Sequence, residues 1–141
     1  MFDSKGLEVL APSECLRLLG EVGIGRIVFI AQALPAIHPV QFVFDGDSVL
    51  FRTTEGFKLA AAARHDIVAF EVDDIDPEFG RGWSVTVVGH AESVTEPYEI
   101  DRLSSLPLQA WATGEDEHFV RVFVETIQGR RLVPQRLQAV T

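Results

Sequence analysis

One cysteine, Cys15, stands among the 141 residues. A lone cysteine closes no internal disulfide, so a disulfide-stapled fold is excluded. It falls between apolar neighbours in a helical pattern and reads as a small buried hydrophobe, with no basic cluster beside it to make a nucleophile. Long apolar runs are missing too: none approaches the ~20 residues of a membrane span. Asp3, Lys5 and Glu8 occupy the stretch where a secretory signal would be apolar. A soluble, cytoplasmic protein is the expectation. Positive charge is scarce, with 12 Lys and Arg against 21 Asp and Glu and a net charge of −9. Such a surface repels nucleic acid and anionic lipid, so neither is an expected partner. Any anionic ligand must find a local basic pocket.

Familiar signatures are absent as well. There is no Walker loop, no Gly-x-Ser-x-Gly elbow and no βαβ unit with a glycine-rich turn. His38, His65, His90 and His118 share no short spacing with one another or with Cys15, and no metal site is expected. Asp73, Asp74, Asp76 and Glu78 crowd one segment, but Pro77 and Phe79 break the calcium-loop register.

What is present is a β-rich pattern in a chain long enough for one core, read as a single domain over residues 1–141. Pro12 to Val22 is expected to be a helix: Cys15, Leu18, Leu19 and Val22 recur at helical spacing, and Gly20, Gly23 and Gly25 stop it. Arg26 to Ala31 is a strand apolar on both faces, which calls for a cover from a helix or a partner subunit. Gln32 to Ile37 reads as a loop with Pro35. His38 to Phe44 and Ser48 to Arg52 flank Asp45-Gly46-Asp47 as a hairpin. Gly56 to Arg64 is an alanine-rich helix. Ile67 to Val72 is a strand, Asp73 to Gly82 an acidic loop and Trp83 to Val94 a long strand in which Gly89 permits a bend. Pro97 to Leu103 is a short helix, and Phe119 to Ile127 the last strand. Six strands with few edges point to a closed antiparallel barrel.

Two segments carry candidate chemistry. Arg52-Thr53-Thr54-Glu55-Gly56-Phe57-Lys58 follows a strand and opens a helix. It offers a guanidinium fork, two hydroxyls, a lysine and helix N–H groups to an anion. The bland alternative is a solvated turn whose cations pair with Glu55 or Glu71. Trp83-Ser84, with Gln109 and Trp111, would make a wall for a flat, partly polar ring, or simply pack in a core or interface. His38 beside Pro39 lines a pocket or sits on a barrel rim. Arg121 lies in the last strand, and Arg130 or Arg131, after Gly129, is a candidate for a second anionic group, a dimer partner or plain surface.

Four stretches come in a telling order and spacing: Pro39-Val40 with Phe42-Val43-Phe44-Asp45-Gly46; Leu50-Phe51-Arg52-Thr53 with Gly56-Phe57-Lys58-Leu59; Val68-Ala69-Phe70-Glu71-Val72-Asp73; and Gly82-Trp83-Ser84-Val85-Thr86-Val87-Val88-Gly89-His90-Ala91. On these the chain resembles the pyridoxamine 5′-phosphate oxidase-like, FMN-binding split-barrel family. The resemblance implies a mainly β fold, a six-stranded antiparallel Greek-key split barrel with a few short flanking helices, and a homodimer holding two FMN molecules at its interface. It implies that Arg52, Thr53, Thr54, Phe57 and Lys58 hold the flavin phosphate, and that the ring lies along His38, Pro39, Val40 and Gln41. The partner would contribute Trp83 and Ser84, with Trp111 and Arg130 as further candidates. The Arg/His set by which true pyridoxamine phosphate oxidases hold their substrate's phosphate has no match here, so vitamin B6 oxidation is not expected. The implied function is a flavin-dependent oxidoreductase of unassigned substrate. The alternatives are a deazaflavin-dependent reductase, whose acidic cofactor the chain's own acidity disfavours, and a non-catalytic flavin-binding module.

Overall fold

The computed structural model describes residues 1–54, 56–108 and 117–134. Eight strands and three helices follow one another in the order β1 (Glu8–Val9), α1 (Pro12–Leu19), β2 (Ile24–Ala31), β3 (Leu34–Asp45), β4 (Ser48–Thr53), α2 (Phe57–Ala63), β5 (Ile67–Asp76), β6 (Arg81–Ser93), α3 (Pro97–Leu103), β7 (His118–Phe123) and β8 (Thr126–Leu132). Hydrogen-bonded neighbours run β6-β5-β2-β3-β4-β7, and β7 returns to β6, which closes a six-stranded antiparallel barrel. β8 and the short β1 extend the sheet beyond β6.

Period-two alternation fills the barrel. Ile27 and Phe29 of β2, Val40 and Phe42 of β3, Val49 and Phe51 of β4, Val68, Phe70 and Val72 of β5, and Val85 and Val87 of β6 all point inward and are buried. Phe42 and Phe70 meet edge to face at 4.8 Å. Gly25 makes room for this centre, since a Cβ there would lie 2.4 Å from the Phe70 ring. α2 presents the fully buried Ala61 and Ala62, small enough to bring the helix close against β2 and β6. A smaller cluster outside β4 joins Leu50, Leu103, Leu108 and Phe119. Arg121, only 13% exposed, reaches Asp45, Ser48 and Glu99 and so ties α3 to the β3–β4 hairpin.

Several expectations need correction. The first helix stops at Leu19, where Gly20 caps it, and Val22 packs from the loop beyond. Residues 32–37 are not a loop: Gln32 and Ala33, both at positive φ, make a tight turn, and β3 starts at Leu34. The left-handed turn matches the twist of a hairpin, and this outweighed the proline signal. The acidic segment after Val72 is mostly strand. Asp73–Asp76 pair with Arg81–Ser84, leaving only residues 77–80 as the turn. Asp74 and Asp76 are exposed and Asp73 is half-buried, so water reaches the charges. The expected last strand is two strands, β7 and β8, broken at Val124–Glu125. There Phe123 O approaches to 1.7 Å from where a Cβ of Gly89 would stand, so β6 and the break fit together only through that glycine. The doubly apolar β2 is buried on one face alone. Outside, Ile24 is 55% exposed, Ile30 50%, and on neighbouring strands Ile37 and Ile67 are each 62% exposed.

Candidate functional site

β3 is longer than its partner β4. Pairing between them begins at Phe42↔Phe51 and runs only to the turn, whereas β3 pairs with β2 all the way back to Leu34. The β4-facing edge of β3 before Phe42 therefore has no strand partner among the described residues. The prolines fix which groups face it. Pro35 and Pro39 stand opposite Ile30 and Arg26. Lacking N–H groups, they must occupy the pairs that exchange no hydrogen bond. Phe42 N–H, on the alternate parity, donates to Gly23 O on the β2 side at 3.0 Å. The backbone groups of residues 35, 37 and 39 thus point into the gap, and Ile37 brings an N–H donor there.

At the mouth of this gap the inward-facing His38 meets α2. Its ring packs edge-on against Phe29 at 5.1 Å, and its Nδ1 lies 3.2 Å from Lys58 Nζ. Burial lowers the His38 pKa, and the Lys58 charge lowers it further. Burial also lowers the Lys58 pKa. Counting the described carboxylates, every described Lys and Arg has one within ion-pair distance except Lys5, Lys58 and Arg81. In a chain with so many acids, an unpaired cation at a gap is an uncommitted anion partner.

The other expected phosphate residues are placed differently. Arg52 turns to the outer face of β4, where Nη2 pairs with Glu117 at 2.8 Å and Nη1 donates to Leu108 O at 3.2 Å. Its guanidinium carbon lies 4.8 Å from the Phe119 ring centre, and its buried Nε has no partner among the described residues. Thr53 is buried and its hydroxyl donates to Thr54 O at 3.1 Å. Thr54 lies half-buried between β4 and α2, and Phe57 is the first residue of α2. Val40 belongs to the core, Pro39 is exposed on the outer face and Gln41 is half-buried.

The second expected set stands elsewhere. Trp83 points inward and is 9% exposed, while Ser84, of opposite parity, faces outward opposite Arg130. Arg130 Nε pairs with Asp3 at 3.1 Å. A cleft of about 560 Å³ lies beside Trp83, lined by Arg81, Arg131, Leu132 and Pro134. Arg81 there stacks on Phe79 at 5.5 Å. These residues open β6, whereas α2 packs near its other end, where Ala91 N–H bonds Asp66 O. His90 is nine residues along β6 from Arg81, roughly 30 Å at 3.3 Å per residue. Trp111 and Gln109 lie outside the described residues. Sequence reasoning missed the open edge of β3, although the paired prolines four apart were its signal. It also missed Arg81, which carries no motif.

Among the described residues no group of three or more His, Cys, Asp or Glu side chains is arranged to hold a metal ion, and no helix is long and apolar enough to cross a membrane.

Comparison with known proteins places these features in a family. The Mycobacterium tuberculosis protein Rv0080 is 38% identical over 125 residues, covering 85% of this chain and 82% of that one. The solved structure of the FAD binding protein from Mycobacterium smegmatis is 39% identical, with a TM-score of 0.75 over 89% of this chain and 98% of that one. The FAD-binding protein from Mesorhizobium loti shares the fold at a TM-score of 0.76 with 19% identity, over 89% and 97% of the two chains. Residues 11–131 match the sequence pattern of the pyridoxamine 5′-phosphate oxidase family, and the chain belongs to that family.

Proposed function

We propose that the chain binds a flavin, FMN in the first instance, at the interface of a homodimer and works as a flavin-dependent oxidoreductase. The observation that carries this reading is Lys58, a cation with no carboxylate partner among the described residues, standing beside His38 at the unpaired edge of β3. The donor set suits a flavin: Lys58 for the phosphate, with Thr54 between β4 and α2, and the backbone of Ile37 for the polar rim of the ring. The ring of His38, on the inner face of β3, supplies flat contact beside these donors. A bound flavin supplies hydride or electron transfer, so the protein's task is to hold and aim it. Arg52 joins the phosphate only by exchanging Glu117 for it.

Two copies are needed for the full site. Lys58 and His38 gather near α2, while Trp83, Ser84 and Arg130 lie toward the opposite end of β6 and on β8. One ligand touched by both sets requires a second protomer. The exposed face of Ile24, Ile30, Ile37 and Ile67 is the surface such a pairing would cover.

FAD is the second reading. The M. smegmatis relative is an FAD binding protein, and the cleft beside Trp83 offers room and the unpaired Arg81 for a longer ligand. A deazaflavin with an acidic tail is disfavoured, since the remaining described arginines are all paired with carboxylates. A binding module without turnover would use the same residues and is separated by assaying reductant consumption.

The test is the visible absorbance of the purified protein after dialysis against excess FMN or FAD. Retained bands near ~370 and ~450 nm support the pocket, since a pre-formed site keeps its ligand. Retention by Lys58→Ala at unchanged affinity, or no retention by the parent chain, overturns the reading.

A further inference from the structure

Glu71 and Asp73 stand two residues apart on the outer face of β5 and share one guanidinium. Arg26 Nη1 lies 3.4 Å from Glu71 Oε1 and 3.5 Å from Asp73 Oδ2. One cation facing two carboxylates leaves a negative charge unbalanced unless a proton joins the group. No other cation reaches the pair among the described residues. β2 presents Arg26 between Ile24 and Val28, and β3 presents Pro39 opposite Arg26. β6 presents Thr86 opposite Glu71 and Ser84 opposite Asp73. Beyond them β8 carries Gln128 and Arg130, and Arg130 is held by Asp3. A cleft of about 530 Å³, lined by Gly23, Ile24, Arg26, Gln41, Asp73 and Asp74, lets water reach the cluster. Burial and the neighbouring Asp73 push the Glu71 carboxyl up to about 7, against the opposing pull of Arg26.

We propose that the Glu71–Asp73 pair is a proton-operated control on self-association through this face. The inference rests on the dimer reading above. The pair lies on the same outer face as the exposed isoleucines, so a second copy covering them also closes the cleft and removes water from the carboxylates. The unbalanced charge then costs more, and the associated state takes up a proton to remove it. Each protomer brings one pair, so the dimer binds more protons than two monomers do. Association tightens as pH falls and loosens as pH rises through neutrality.

Sedimentation velocity over a concentration series, with the full chain, tests this. The dimer dissociation constant is expected to be at least ~10-fold larger at about pH 8.5 than at about pH 6. Glu71→Gln, neutral at every pH, is expected to flatten the dependence at the tight value. Asp73→Asn removes the like charge and flattens it above about pH 6, and it carries the test if Glu71→Gln does not fold by circular dichroism. A dimer whose dissociation constant ignores pH overturns the proposal alone, as does a Glu71→Gln protein that keeps the parent's slope. A monomer at every pH and concentration overturns the dimer reading together with it.

Discussion

Lys58 Nζ faces Nδ1 of His38 at 3.2 Å, a cation held against a ring nitrogen instead of a carboxylate. The contact is favourable only while the imidazole is neutral and its Nδ1 accepts. Burial, then Lys58, keep the ring in that form. Because the folded pKa lies below the unfolded one, the unfolded chain binds the proton more readily. The contribution to stability is therefore present above the ordinary histidine range and is lost as pH falls through it. Lys58→Met is expected to raise the His38 pKa, seen as a shift of the imidazole titration by NMR. An unchanged midpoint would mean the two do not interact in solution.

Loss of Lys58 should act on the phosphate alone. Lys58→Ala is expected to weaken FMN at least ~10-fold, in line with about 1.5–3 kcal/mol for a charge-assisted bond, and to leave riboflavin untouched. Fluorescence-quenching titrations with the two ligands separate these effects. Equal losses for both would place Lys58 at the ring, away from the phosphate.

Glu117 occupies the fork of Arg52 at 2.8 Å. If the phosphate displaces it, Glu117→Gln removes a competitor, and FMN affinity rises a few-fold, by about 1 kcal/mol or less for a partly exposed pair. If Arg52 stays with its present partners, the substitution changes nothing in the same titration.

How far these elements were legible follows from where the information sits. The hairpin around Asp45-Gly46-Asp47 and the alternation of Val40, Phe42 and Phe44 are local, and both stand in the structure. The closed barrel follows from strand count and hydrophobic pattern. The start of β3 was hidden because Pro35 speaks for a loop when read locally, while its place on an unpaired edge depends on β4 ending early. The break between β7 and β8 was hidden for a related reason: the room it needs is left by Gly89, far away in sequence. The grouping of Lys58 with His38 needs α2 folded against β2 and β6 so that it reaches β3, and no spacing rule contains that. The outward turn of Arg52 is different, since Phe51 and Thr53 on either side point inward and the alternation already implied it.

Gly89→Ala tests the fit at the strand break. A Cβ placed 1.7 Å from Phe123 O forces β6 away from the β7–β8 junction. A loss of about 3 kcal/mol or more is expected from overpacking against backbone, measured by urea denaturation. A loss under about 0.5 kcal/mol, the ordinary scatter of surface substitutions, would mean the junction shifts freely.

Ile37→Asp addresses the exposed face. It places a charge among Val28, Pro35 and Ile30 without touching the core. The chain is expected to stay folded, to sediment as a monomer and to lose flavin retention, because the proposed site takes half of its residues from the partner. A monomer that retains flavin at full affinity would confine the site to one protomer.

The unpaired margin of β3 carries a liability apart from ligands. An extended strand with a bare edge is a template on which another chain can add itself, the first step toward fibrils or amorphous precipitate. Pro35 and Pro39 withdraw donors from that margin at every second exposed position, so an incoming strand cannot complete a continuous ladder. Replacing both would leave the gap as open to a small molecule as before, while making an unloaded protein prone to aggregate during storage and overexpression.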